Sequence, residues 1–411
     1  MTNSTRCIAV AAVAAISLLA SAPVWALGFR DPDQDARATG QGEAFVAQAD
    51  DASAVYYNPA GLTQLHGTEV TSGAFVSFPN SRMTGPGFGG NAENNTMAML
   101  PQFYAASDFG LTNSPWRFAF GFNVPFGNQA ELGDNGPFRY ITTEASLRVF
   151  NMEPTVAYQV NDQLSLGLGL NIYYSDTDLK RNVFTGGPDG HFHFNGDGDA
   201  VGATAGLMWK ITPQHTIGLV YRSPFTVRYE GNGLINVGFT QAAPASTEIQ
   251  FPQSAAGGYA FRPTEKLKLE VDAEWTNWRV LHDLVLHAPG TLFDGSTIPF
   301  EWRDSMFYEF GAQYELDDHW TVRAGYIFST DTVPSSTFSP TVPDSDRHVF
   351  SVGLGYTKTR MSIDVVYQYS LSQDRNVRFL QDPANPGTSA TEAGTWKSDA
   401  HAVMITSSLK F

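Results

Sequence analysis

The sequence predicts an all-β protein, a transmembrane antiparallel β-barrel of about fourteen strands closed around a small N-terminal plug with short helices. Three observations carry this expectation. Apolar and polar residues alternate with period 2 along most of the chain. The connections between those runs alternate between long and short. One irregular stretch, Ala49-Asp-Asp-Ala-Ser-Ala-Val-Tyr-Tyr-Asn-Pro-Ala-Gly-Leu62, precedes the repeating body and has the grammar of turns and short helices.

Residues 1–26 read as a secretory signal. Arg6 precedes an apolar run from Ile8 to Ala20, and Val24-Trp25-Ala26 offers small residues to a signal peptidase. The mature chain is expected to begin at Leu27-Gly28-Phe29. The single cysteine, Cys7, leaves with the signal, so disulfides cannot stabilise the remainder. Nothing later approaches the roughly 20 consecutive apolar residues of a membrane helix. Strands that need only every second residue apolar are still allowed. The net charge of -16 argues against nucleic acid, which demands basic patches. The 29 Phe, 16 Tyr and 38 Gly suit aromatic girdles and tight turns.

Residues 27–66 form the expected plug. Asp50, Asp51 and Ser53 carry side-chain oxygens that can accept from orphan helix N–H groups. Asn58 before Pro59 signals a turn, and Pro59 can open a second short helix because its missing N–H costs nothing there. Ala60 and Gly61 follow within that turn. The barrel is expected over 67–411. Its strand-like runs lie near 67–79, 97–108, 115–126, 145–160, 163–178, 200–211, 214–230, 246–261, 265–278, 302–315, 319–329, 346–358, 361–371 and 399–411.

The clearest run spans Lys266 to Trp275. Leu267, Leu269, Val271, Ala273 and Trp275 share one face, while Lys266, Lys268, Glu270, Asp272 and Glu274 share the other. A solvated antiparallel sheet could produce one such strand. About fourteen of them behind a signal segment favour a barrel in lipid. Trp116, Trp209, Trp275, Trp278, Trp302 and Trp320 fall near expected strand ends, where amphipathic rings suit the headgroup level. Long connections are expected near 80–96, 127–144, 179–199, 231–245, 279–301, 330–345 and 372–398, with short turns between them.

The Ala49–Leu62 stretch resembles the hatch signature of the FadL/TodX family of outer-membrane transporters for long-chain fatty acids and hydrocarbons. Phe120-Gly-Phe-Asn-Val-Pro-Phe-Gly127 is similar to that family's third strand, and Leu166-Gly-Leu-Gly-Leu-Asn-Ile-Tyr-Tyr174 to its fifth. Glu274-Trp-Thr-Asn-Trp278, Asp318-His-Trp-Thr-Val-Arg-Ala-Gly-Tyr326 and Val342-Pro-Asp-Ser-Asp-Arg347 resemble later segments. The resemblance covers essentially the whole mature chain.

It implies a fourteen-stranded barrel in the Gram-negative outer membrane, plugged by a hatch that includes Leu27, Gly28, Phe29, Asp50, Asp51, Asn58, Pro59, Ala60 and Gly61. Hydrophobic cargo would be caught outside, enter a dry cavity and leave sideways into the bilayer. Burying an alkyl chain there is worth about 0.8 kcal/mol per CH2. The lateral opening would lie where the third strand bends inward, with Gly121, Asn123 and Pro125 as its residues. Spacing alone favours an ordinary strand end at a loop-initiating Pro-Phe-Gly turn, and the resemblance reverses that order. Arg181, after the fifth strand, and Arg303, in Glu301-Trp-Arg-Asp304, match the places where the family sets basic residues for a carboxylate. The plain alternative pairs them with Asp178 and Asp304.

The phenylalanines Phe138, Phe184, Phe192 and Phe194 could line a reduced external groove. The resemblance implies a monomeric transporter whose partners are hydrophobic ligand, outer-membrane lipid and lipopolysaccharide, with no cofactor. Uptake of aromatic or alkane hydrocarbons is the alternative by the same route; a general diffusion porin and an outer-membrane hydrolase are the others. The residues show no zinc-protease or nucleophile-elbow spacing. His191, His193, Asp197 and Asp199 could ligate a metal but read as a solvated loop tip, so no metal is expected.

Overall fold

The lipid-facing rows decide the architecture. On the strand Leu164–Val183, Leu166, Leu168, Leu170 and Ile172 are exposed, Leu168 by 61%, whereas Ser165 and Asn171 are buried. The strand Leu267–Thr276 repeats the inversion: Leu269 and Val271 are exposed, while Glu270, Asp272 and Glu274 are 2%, 5% and 4% exposed. Apolar outside and polar inside is the order of a wall standing in hydrocarbon. The computed structural model describes residues 28–84, 92–111, 114–136, 138–378 and 393–411. The signal expected over 1–26, and Leu27 with it, lie outside the described residues.

The wall is a closed antiparallel barrel of 14 strands. They are β1 Thr68–Thr84, β2 Ala98–Ser107, β3 Trp116–Glu131, β4 Glu144–Gln159, β5 Leu164–Val183, β6 Gly190–Thr212, β7 His215–Arg222 with Phe225–Asn236, and β8 Thr240–Phe251 with Ser254–Phe261. The circuit continues through β9 Leu267–Thr276, β10 Ser305–Glu315, β11 Trp320–Ser329, β12 Arg347–Lys358, β13 Met361–Ser372 and β14 Ala393–Lys410. β1 pairs with β14 from Glu69↔Lys410 to Thr84↔Thr395, which leaves no free edge there. β7 and β8 are each interrupted at a proline, Pro224 and Pro252, because proline cannot donate to the ladder.

Two expected connections are strands instead. β5 and β6 stay paired from Leu179↔Phe194 to Val183↔Gly190, and β7 meets β8 through the three residues 237–239. His191, His193, Asp197 and Asp199 therefore sit in β6 and not on a loop tip. Beyond the membrane the outer face of a hairpin is wet and no longer has to be apolar, so alternation fades although the ladder continues. The tryptophans also divide. Trp116, Trp209 and Trp320 are exposed on the outer skin, but Trp278 and Trp302 are buried inside against Phe29.

Residues 28–66 lie largely buried within the wall. Asp35 accepts from the Arg37 N–H and starts the one-turn helix α1, Ala36–Thr39. Helix α2, Ala54–Tyr57, ends at Asn58, whose side chain accepts from the Ala60 N–H and opens the 3-10 turn Pro59–Gln64. The same Asn58 donates to the carbonyls of Val46, 2.7 Å, and Leu207, 3.1 Å. It can come so close because the wall has glycine there: a Cβ on Gly206 would stand 2.2 Å from Asn58 Oδ1.

Candidate functional site

An apolar cavity of about 130 Å³ opens among β4, β5, β8 and the segments around 298–302 and 333–342. Its walls include Leu147, Leu179, Ile249, Phe300, Trp302 and Val342. Phe29, from the hatch, supplies part of its lining. That ring stands 4.8 Å from Trp302 and 6.1 Å from Trp278, centroid to centroid. Gly28 has φ +66, and a Cβ there would be 2.6 Å from the Trp278 ring, so the chain entering the cluster needs glycine. Such a chamber suits an apolar molecule. Among the described residues, no Lys or Arg lines it and one carboxylate, Asp178, does.

The third strand leaves the wall beside this chamber. β3 pairs with β2 only from Phe118↔Ser107 to Phe122↔Phe103, while Ala98–Gln102 of β2 pair on their other side with β1. On its β4 side the β3 register slips between Asn123 and Phe126, so β3 carries one residue more than β4 there. The freed backbone is taken up by the hatch. Asp31 N–H donates to the Pro125 carbonyl at 2.9 Å, and Gly127 N–H donates to the Phe29 carbonyl at 2.8 Å. Gln34 donates to the Val124 carbonyl at 3.0 Å and accepts from the Val124 N–H at 3.3 Å. Gly121, one turn of the ladder earlier, leaves room for Val55 of α2, 2.8 Å from where a Cβ would stand. Asn123 is fully buried, and neither of its side-chain polar atoms has a hydrogen-bond partner among the described residues.

The inner face of β9 grips the hatch. Asp272 Oδ2 accepts from the N–H groups of Phe45 and Val46, both at 2.9 Å, and Glu270 Oε1 accepts from Ala47 N–H at 2.6 Å. Glu274 pairs with Arg30 at 2.5 Å. Asp50 pairs with Lys268 at 2.7 Å, and Asp51 lies 3.6 Å from Arg37. Charged acceptors on backbone N–H groups make stronger bonds than neutral ones. Alternation marks these carboxylates only as a wet face. That face is a dock, and a second period-2 row opposite consecutive amides cannot be distinguished from solvation by pattern alone.

Arg181 and Arg303 stand just beyond the chamber. Arg181 is two residues past the lining Leu179, with its guanidinium 5.5 Å from the Phe192 ring centre. Arg303 follows the lining Trp302 and donates to both oxygens of Asp331, at 3.1 and 3.0 Å. Phe192 and Phe194 are buried in the aromatic cluster, Phe138 is buried elsewhere, and Phe184 is exposed beside Tyr140. His193 Nε2 lies 2.8 Å from Asp178, and no group of three metal-ligating side chains forms among the described residues.

The segment 330–346 closes the chamber from above through Val333, Thr341 and Val342. Asp344 holds it, accepting from the N–H groups of Thr332, 2.5 Å, and Val333, 3.1 Å. Burial pushes the Asp344 carboxyl up to about 6, while those amides and Arg347 pull the other way. A raised carboxyl favours the folded segment fully below its unfolded value, and the contribution is lost as pH rises through about 6. Corrected for intrinsic rates, amide exchange over 330–346 should be about tenfold slower at pH 5 than at pH 7.5. Asp344→Asn should flatten that difference, and an unchanged profile in the variant would refute the assignment.

The chain matches the family described as outer membrane protein transport protein (OMPP1/FadL/TodX) over residues 17–411. A long-chain fatty acid transport protein of Escherichia coli strain K12 is 24% identical, covering 90% of this chain and 93% of its own. The fold of a Pseudomonas aeruginosa FadL homologue superposes with TM-score 0.86 at 20% identity, covering 93% of this chain and 100% of that one. The Pseudomonas putida toluene transporter TodX does so with TM-score 0.73 at 17% identity, covering 94% and 99%. A hatch-filled barrel with an apolar skin, a dry outer chamber and a displaced third strand thus agrees with the match along nearly the whole sequence: this chain belongs to the OMPP1/FadL/TodX family, and it transports hydrophobic molecules across the Gram-negative outer membrane and is not an enzyme.

Proposed function

We propose that the cargo is a long-chain fatty acid, caught in the outer chamber and released into the bilayer through the gap that β3 leaves against β2. The observation that carries this reading is the continuity between chamber and gap. Phe29 lines the chamber, and the backbone of the same residue binds the displaced strand at Gly127. A shift of the hatch would therefore act on both at once. The E. coli relative named as a long-chain fatty acid transport protein supports the choice of cargo. The protein acts as a monomer, with residues 27–66 as its gate and binding floor, 67–411 as its wall, and outer-membrane lipid and lipopolysaccharide around it. Liposomes holding the folded protein should take up a fluorescent fatty acid faster than empty liposomes, and equal rates would refute the reading.

A second cargo, an aromatic or alkane hydrocarbon, is favoured by one observation: the chamber is lined by Asp178 and by no cation among the described residues. The arginines discriminate. For a carboxylate head, Arg303 would exchange Asp331 for the ligand, and Arg181 would add a second charge at the mouth. Arg181→Ala and Arg303→Ala should each weaken fatty acid binding about tenfold and alkane binding by less than twofold, by titration in detergent. Equal losses for both ligands would remove the carboxylate role.

A further inference from the structure

A second cavity, separate from the cargo chamber, lies at the opposite end of the barrel. It measures about 220 Å³ and is bounded by Ala47, Gln48 and Gln64 of the hatch and by the ends of β6, β7, β8 and β9. That is far beyond the roughly 10–15 Å³ a single water requires. Three cations line it: Lys210, Arg262 and Lys268. Asp50 is their one carboxylate partner among the described residues. It lies 2.7 Å from Lys268 Nζ and 3.7 Å from the Arg262 guanidinium. Lys210 makes no ion pair among the described residues, and its inward position follows from Trp209, exposed on the lipid side next to it. Thr212 and Thr216 add hydroxyls to the same wall.

We propose that this vestibule binds a phosphate-type oxyanion from the periplasmic side, and that the bound anion clamps the hatch to the wall. The chemistry follows from the donor set. Two ammonium groups, a forked guanidinium and two hydroxyls converge on a space large enough for a tetrahedral anion, and a single carboxylate leaves the cations in excess. The clamp follows from where the cations stand. Lys268 already holds Asp50 of the hatch, and Arg262 reaches the same oxygen from the neighbouring turn. An anion seated between Lys210 and Arg262 lies against Gln48 and Gln64, and the Gln64 side chain ties the C-terminal end of the hatch to its middle by donating to the Gln48 backbone carbonyl at 2.7 Å. The anion could be free phosphate or the phosphate of an inner-leaflet lipid. Neither source depends on which cargo crosses the membrane.

The test is titration of the folded full chain in detergent with inorganic phosphate at low ionic strength, by calorimetry, with amide exchange of residues 47–64 followed in parallel. Saturable binding is expected, with exchange at residues 47–50 slowed at least threefold. Lys210→Ala and Arg262→Ala should each weaken binding tenfold or more, and Lys210→Arg should retain it. Nanodiscs containing phosphatidic acid or phosphatidylcholine alone identify the source. Hatch protection that needs phosphatidic acid and is lost in Lys210→Ala assigns the phosphate to lipid. Protection by inorganic phosphate in either nanodisc assigns it to the free ion. The proposal is overturned if neither form of phosphate binds, if Lys210→Ala and Arg262→Ala bind as well as the parent, or if binding leaves hatch exchange unchanged. Circular dichroism of the same variants reports that the barrel is folded.

Discussion

Deleting Pro125 should reduce fatty acid uptake at least tenfold while leaving a folded barrel. The reason is one of register. β3 and β4 lose step between Asn123 and Phe126, where β3 carries one residue too many. Removing one residue restores the count, so the outer half of β3 can rejoin the wall and the unpaired edge of β2 at Ala98–Gln102 gains a partner. The deletion also removes the carbonyl that accepts from Asp31 N–H. With the wall closed, cargo in the chamber has no dry route to the bilayer. A tenfold loss corresponds to about 1.4 kcal/mol on the limiting step. Pro125→Ala is the control. It keeps the extra residue and therefore the bend, so uptake should fall by less than threefold. Uptake by the deletion variant at the parent's rate, with circular dichroism unchanged, would show that cargo leaves by another way.

The barrel was legible because its cause is periodic. Every strand that crosses hydrocarbon must place apolar side chains on one face, and Leu166 to Ile172 or Leu267 to Trp275 display that requirement directly. The hairpin at 179–199 was not legible for the same reason: above the membrane neither face of Gly196, Asp197, Gly198 and Asp199 is required to be apolar, so the ladder has no hydrophobic signature. Trp278 and Trp302 illustrate a second limit. A tryptophan near a strand end can serve the headgroup level or an internal cluster, and only the position of Phe29 decides. Pro125 announced a disturbance in β3, but its direction depends on Gln34 and Asp31, which lie about ninety residues away in sequence and claim the freed backbone. Asn58 and Pro59 were readable as a turn and a helix start, since those signals are local, and the structure adds that Asn58 caps the turn. The carboxylates of β9 were visible as polar and invisible as a dock, because their partners are backbone N–H groups that carry no residue identity.

Those carboxylates support the second large effect. Asp272→Ala should free the middle of the hatch, raising amide exchange at Phe45 and Val46 on the order of a hundredfold. Asp272 Oδ2 accepts from both amides at 2.9 Å. Hydrogen bonds to a charged group contribute about 1.5–3 kcal/mol each, and their loss leaves two buried N–H groups without acceptors. A combined loss near 3 kcal/mol gives that factor. The wall itself should survive, because β9 keeps its ladder with β8 and β10 through backbone groups. A Cβ at Gly258 would stand 2.2 Å from Asp272 Oδ1, so the carboxylate occupies a space that glycine leaves open, and alanine at 272 leaves it empty. Glu270→Ala, which removes only the acceptor for Ala47 N–H, should give a smaller increase confined to that amide. Reconstituted Asp272→Ala should also pass small ions more readily than the parent, since a loosened hatch no longer seals the lumen. Exchange at residues 45–47 identical to the parent would mean that the hatch is held elsewhere, by Asn58 and the Arg30–Glu274 pair, and not by Asp272 and Glu270.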